Sequence, residues 1–292
     1  MVSIEQLEAL DLLVWLGSGE RAAQVLHRSQ PTISRQAKDC AHTFRTKLKK
    51  QGRNWITEGN TYLLELERSV HQLARLRGQR KIRAEINPWD NQLLQLKQLP
   101  YLQSGYCGDA RPARALELLK DKVVDAYITR FGSSSRELCC EDPDIAVITL
   151  AQFQVSAMAH QDHEALRMKL TQPNQLHHYL IQCWPEGALP SFERHLKVRG
   201  FWNGSRAMTT RDLLRDWEQS ARQTEAISFD KVIPLSLHQQ LQKVDLELGF
   251  TGEWALAIRK EACDTEVAAQ LRAEICSALG HAKQQFPTLT II

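Results

Sequence analysis

No apolar run in this sequence is long enough to span a membrane, and the polar, acidic start Met1 to Gln6 is no signal peptide, so a cytoplasmic address with no membrane partner is expected. Seven cysteines without a regular framework argue against a disulfide scaffold and for reduced thiols. The sequence has no Gly-x-Ser-x-Gly elbow, no phosphate loop, no Gly-x-Gly-x-x-Gly and no His-Glu-x-x-His. No catalytic residue, metal ligand or cofactor is therefore assigned, and the chain is not expected to be an enzyme. The histidines His160, His163, His177 and His178 lack a Cys or acidic partner at ligand spacing and are expected to be solvated. Vicinal Cys139-Cys140 and the pair Cys107 and Cys183 have nothing nearby clearly arranged to lower a thiol pKa, so buried inert thiols are expected.

One further absence is local and points to function. From Ser29 to Lys38 there is no acid, and Asp39 is the first. Ser29 is a favoured N-cap and Pro31 fits a first helical turn, so a helix begins here. Its first two turns carry Gln30, Thr32, Ser34, Arg35, Gln36 and Lys38, side chains that can bond base edges or phosphates. Such a helix start suits insertion into a major groove; the plain alternative is a solvated helix face. Upstream, Ile4, Leu7, Leu10 and Val14 mark an amphipathic helix capped by Ser3. After the break Gly17-Ser18-Gly19, residues 20–27 form a second helix with small Ala22 and Ala23. Helix, short turn and polar-fronted helix make a helix-turn-helix arrangement.

Charge sharpens this reading. Residues 1–80 hold 13 Lys and Arg against 8 Asp and Glu, leaving 24 against 26 for the remainder. The densest stretch, residues 45–53, contains Lys49, Lys50 and Arg53 and a Gly turn before strand-like Trp55-Ile56-Thr57. It reads as a wing hairpin that contacts phosphates, or otherwise as a solvated basic loop. From Glu58 to about Gly78 the chain is helical, with Leu63, Leu66, Val70 and Leu73 at the 3,4,3 spacing of a coiled-coil seam. That stripe needs a partner, either a second subunit or the chain's own body. Gly78-Gln79-Arg80 follows as a hinge.

Gly17-Ser18, Ala22-Ala23, Leu26, Ser29-Gln30-Pro31, Ser34-Arg35-Gln36 and Ile56-Thr57-Glu58 together resemble the N-terminal winged helix-turn-helix of LysR-type transcriptional regulators. The chain departs from the family pattern at Cys40-Ala41, Leu48-Lys49 and Asn60. The resemblance implies an α+β multidomain protein: a winged helix-turn-helix over residues 1–60, a long linker and dimerisation helix over 61–80, and a C-terminal two-lobed α/β effector domain like that of periplasmic binding proteins over 81–292. It implies double-stranded DNA and a small-molecule effector of unknown identity as partners, and a homodimer or homotetramer pairing through Leu63, Leu66, Val70 and Leu73.

Beyond residue 81, strand-like and helix-like segments alternate. Strands are expected at 81–86, 101–107, 123–128, 145–150, 153–159, 179–183, 226–229 and 254–258. Helices are expected at 92–99, 113–122, 209–220 and 265–285. A ligand between lobes would meet loops at strand ends: Asn87-Pro88-Trp89-Asp90, Thr129-Arg130-Phe131 and Cys183-Trp184-Pro185-Glu186-Gly187. There Arg130 can clamp a carboxylate while Trp89 and Trp184 stack on a flat ligand, though a surface charge and core packing explain these residues equally well. The leading function is a ligand-responsive, sequence-specific DNA-binding regulator. The alternative is a two-lobed small-molecule-binding or enzymatic protein whose N-terminal helices serve only dimerisation.

Overall fold

A computed structural model describes residues 2–52, 54–109, 111–131, 142–168, 170, 179–181, 189–200, 226–229, 241–283 and 288–292, with only the backbone of Trp89, Phe131, Leu180, Ile181 and Ala226. The expected helix at 209–220, Arg53, Cys139, Cys140, His177, His178, Cys183 and Trp184 lie outside these residues.

The chain opens with α1 (Ile4–Leu16), α2 (Gly19–Leu26) and α3 (Gln30–Thr43), followed by the hairpin β1 (Lys47–Gln51) and β2 (Asn54–Glu58). Each helix start is set locally. Ser3 and Gln6 form a reciprocal capping box at α1, Ser18 caps α2, and the Ser29 hydroxyl accepts from the Thr32 amide with Pro31 in the first turn of α3. Gly17 closes α1 at φ 68°, a conformation most side chains resist.

Helix α1 corrects one expectation. It is not amphipathic with one apolar stripe: Leu7, Ala9, Leu10, Leu12, Leu13, Val14, Trp15 and Leu16 are all buried, while Ile4 is exposed. A helix apolar on every side must be covered on every side. Helices α2 and α3 and strand β2 cover one flank, and the first sheet of the C-terminal region covers the other.

Helix α4 (Tyr62–Leu76) starts four residues later than expected, after the Asn60 side chain accepts from the Tyr62 amide. Next come β3 (Ile82–Glu85), α5 (Pro88–Leu94), β4 (Leu102–Gly105), α6 (Pro112–Lys120), β5 (Ala126–Phe131) and β6 (Ile145–Gln154). These are followed by β7 (Ala157–His160), β8 (Leu180–Ile181), a helix at Pro190–Val198, β9 (Ala226–Phe229), β10 (Leu241–Lys243), β11 (Thr251–Arg259), the closing helix Glu266–Ala282 and β12 (Thr290–Ile291). Among the described residues of the C-terminal region two sheets result, one per lobe. The first runs β12-β6-β11-β5-β3-β4, with β3 parallel to both β4 and β5; the second runs β10-β7-β9-β8. The chain crosses from the first sheet to the second between β6 and β7 and returns between β10 and β11.

Two strand readings shift. Val123 and Val124 are buried in the turn before β5, not within it, so Thr129 and Arg130 fall inside the strand rather than in a loop beyond it. Residues 145–154 form one long strand where a break was expected. Among the described residues no helix is long and apolar enough to cross a membrane.

Candidate nucleic-acid interface and effector region

Helix α3 buries Ile33, Ala37, Cys40 and Ala41 against α1 and leaves its other side to solvent. That outer side carries exposed Gln30, Pro31, Arg35 and Lys38, with Thr32, Ser34 and Gln36 half-buried beside them. Arg35 and Lys38 have no ion-pair partner among the described residues, so their charges are available. Gln30 is more constrained. A Cβ on Gly19 would sit 3.1 Å from its Nε2, which shows how closely its side chain lies against α2. Ser29 spends its hydroxyl on the cap and on a 2.8 Å contact with the Thr32 hydroxyl.

The wing is a regular two-stranded hairpin, from Lys47 opposite Glu58 to Gln51 opposite Asn54, with its turn at Gly52 (φ 61°). Its lysines are exposed but partly engaged: Lys49 pairs with Glu58 at 2.5 Å and Lys50 lies 5.9 Å over the Trp55 ring. The wing and α3 thus present cationic side chains on one domain, while the acids of α3 begin only at its exposed Asp39.

The seam residues Leu63, Leu66, Val70 and Leu73 are 58%, 47%, 65% and 49% exposed, so the chain's own body does not cover them. The opposite face of α4 is buried and charged. Arg68 Nε donates to Asp11 Oδ1 at 2.8 Å, and Arg75 donates to both Asp125 oxygens at 2.7 and 2.9 Å. Gln72 Nε2 adds a 3.2 Å bond to Asp125, and Arg83 reaches Asp11 at 3.2 Å.

These contacts belong to a broad junction between the winged domain and the first lobe. Trp15 Nε1 donates to Glu85 Oε2 at 2.5 Å, and the Cys107 amide donates to both Glu85 oxygens at 3.1 Å. Arg21 donates to the Tyr106 carbonyl at 2.7 Å, and Arg114 to the carbonyls of Val14 and Trp55 at 3.0 Å each. A Cβ at Gly105 would lie 2.7 Å from Trp15, so only glycine lets the indole lie against the end of β4. Burial raises the Glu85 carboxyl to about 7 despite these donors. It also raises the Cys107 thiol well above its usual value, which makes that cysteine a weak nucleophile, as expected. This junction is not visible in the motifs. Its signal is the single acids Asp11 and Asp125 set in apolar runs, and Glu85 between Ala84 and Ile86.

The effector residues are rearranged. Asn87 is no loop residue; it caps α5, accepting from the Asp90 amide at 2.9 Å, and its amide donates to the Asp90 carboxylate. Asp90 is fully buried and pairs with Arg130 at 2.5 Å, while the guanidinium sits 5.4 Å over the Trp254 ring. The structure thus brings Asn87, Asp90 and Arg130 together, with Thr129 buried next in the strand. Arg130 already holds a carboxylate from its own chain and ties the start of α5 to β5, so it is not a free clamp. His163 also departs from expectation: it is buried, its Nδ1 accepts from the Ala165 amide at 3.0 Å, and its ring packs on Tyr179. Among the described residues no cluster of His, Cys, Asp or Glu could hold a metal.

The sequence matches no family model and no curated protein. Its fold does match solved structures along nearly the whole chain. An H2O2-bound cysteine-to-serine mutant of OxyR from Corynebacterium glutamicum superposes with a TM-score of 0.53 at 16% identity, covering 97% of this chain and 94% of that one. Full-length OxyR from Pseudomonas aeruginosa, as a cysteine-to-aspartate variant, gives 0.53 at 14% identity with 96% and 95% covered. CbnR, a LysR-family transcriptional regulator, gives 0.53 at 16% identity with 95% and 99% covered. From the winged helix-turn-helix through the linker helix to the two-lobed domain, the chain therefore has the full-length fold of a LysR-type regulator.

Proposed function

We propose that the protein is a ligand-responsive, sequence-specific DNA-binding regulator that works in the cytoplasm as a homodimer or higher homo-oligomer and performs no catalysis of its own. The observation that carries this reading is the outer side of α3, polar, cationic and acid-free from Ser29 to Lys38, displayed beside a basic wing on a chain with this fold. Gln30, Thr32, Ser34, Arg35 and Gln36 are assigned to base edges. Lys38, Lys49, Lys50 and, by its sequence position, Arg53 are assigned to phosphates. The bare Leu63, Leu66, Val70 and Leu73 seam supports pairing of two linker helices, which would set two recognition helices on half-sites about 34–36 Å or a multiple apart. A small effector would enter between the two sheets. The Asn87, Asp90 and Arg130 cluster acts there as a support for the first lobe's edge, and Trp184 and Cys183 are assigned to the other side from the sequence alone.

The test is duplex binding at several salt concentrations with DNA fragments selected on the protein. A steep salt slope is expected, and Arg35→Ala should lower discrimination between selected and random duplex by about 1–3 kcal/mol. Salt-indifferent binding would instead favour a small-molecule-binding protein whose N-terminal helices only assemble it.

A further inference from the structure

We propose that the junction of α1, α4, β3 and β4 is a binding site for one small oxyanion, a phosphate or carboxylate group, separate from any effector held between the lobes. A cavity of about 240 Å³ lies at this junction. Its wall brings Arg75, Arg80, Lys81 and Arg83 together against only two acids, Glu8 and Asp11.

The imbalance is deepest where water is least. Arg68, Arg75 and Arg83 are all at least nine-tenths buried, and the carboxylates buried with them are Asp11 and Asp125. Arg68 has one further acid within reach, half-exposed Asp121 at 4.0 Å, and neither of these two residues lines the cavity. An excess of buried positive charge is costly in a low-dielectric interior, and an anion beside it recovers much of that cost. Arg83 registers the strain: burial, and then the neighbouring Arg75 charge, hold its guanidinium below its usual pKa.

Donors are also available. Gln103 lines the cavity, and its buried Nε2 has no hydrogen-bond acceptor among the described residues. Lys81 is exposed at the rim and has no ion-pair partner among the described residues, whereas Arg80 is taken by Glu8 at 3.0 Å and His71 lies 3.4 Å from Glu67. An oxyanion entering past Lys81 would accept from Gln103 and face Arg75 and Arg83. It would then bridge the DNA-binding domain, the linker helix and the first lobe. Bound there, it strengthens the docking of the winged domain without any contact to DNA.

The test is calorimetric titration of the full-length protein at fixed ionic strength, with inorganic phosphate, succinate or chloride as the probe. Saturable one-to-one binding is expected for phosphate or succinate and not for chloride, and whichever binds identifies the anion class. Lys81→Gln combined with Gln103→Leu should weaken it at least tenfold. Lys97→Gln, which removes an exposed lysine remote from this cavity, should leave it unchanged. Thermal unfolding without anion checks that each variant is folded. Absence of saturable heat from both oxyanions, or equal binding by the rim variant and the parent, overturns the proposal; either result leaves the DNA-binding reading untouched.

Discussion

The inward face of α4 holds Arg68, Gln72 and Arg75, buried against Asp11 and Asp125, whereas its outward face holds Tyr62, Leu63, Leu66, Val70 and Leu73, between 47% and 65% exposed. A helix on the surface of a monomer ordinarily does the reverse and turns its apolar stripe to the core. Here Leu64 and Leu76 supply the inner apolar contact, and charged hydrogen bonds complete it. The difference shows that the two faces have different tasks. The inner face fixes the orientation of α4 on its own chain, because bonds to both oxygens of Asp125 accept one geometry. The outer face offers area without direction, which suits a second copy of the same helix.

Breaking the inner face should have the largest effect. Asp125→Ala leaves Arg75 and Gln72 buried without their acceptor and should cost about 3–5 kcal/mol, read as a fall in denaturation midpoint. Unchanged stability would mean that water replaces the carboxylate and that the inner face is not sealed.

Leu66→Lys with Leu73→Lys attacks the outer face. Charge placed in an apolar helix pair costs several kcal/mol of association, so sedimentation should show monomers. Because both leucines are exposed within one chain, the monomer's own unfolding should move by no more than about 0.5 kcal/mol each. A large loss of monomer stability would erase the contrast between the faces.

The pH dependence of stability probes the junction that the inner face helps to close. In the folded chain Glu85 titrates near 7, against an ordinary value of 4.5, so between those values the folded state holds a proton that the unfolded chain has lost. Stability from this group is therefore full below about 4.5 and falls as pH rises toward 7, by at most roughly 3 kcal/mol, then stays level. Glu85→Gln should flatten that slope in a series of denaturation curves. The smallest change tried is a single methyl. Gly105→Ala pushes Trp15 off the end of β4 and should cost about 1–3 kcal/mol, with a shift in indole fluorescence as its sign.

What the sequence made legible was what short-range chemistry decides. The Ser29 cap, Pro31 and the hairpin with its Gly52 turn each announce themselves within a few residues and take the expected form, and the 3,4,3 spacing puts Leu63, Leu66, Val70 and Leu73 on one exposed helix face. Asn87-Pro88 carried the same kind of signal, an N-cap followed by proline, but a loop reading beside a strand obscured it. Helix α1 was misread because its Ile4, Leu7, Leu10, Val14 spacing fits a stripe. Leu12, Leu13, Trp15 and Leu16 fill the remaining faces and are buried by a sheet far along the chain. The ion pairs are harder still. Asp11 meets Arg68 and Arg83 at separations of 57 and 72 residues, so no local pattern links acid to base. The same distance hid the fate of Arg130, whose charge suggested a ligand clamp until Asp90 was seen to occupy it.

Helix α1 also bears on modularity. In many two-part proteins a linker separates units that can be cut apart and studied singly. Here the helix that opens the winged domain is at once part of the first lobe's core, with Trp15 seated on Gly105 and its neighbours buried behind it. Severing the chain near residue 60 would lay bare that apolar flank and leave Asp11 without Arg68 or Arg83. The winged domain and the first lobe accordingly share one core through α1, so a substitution at Trp15 or at Gly105 is constrained by the residue it lies against.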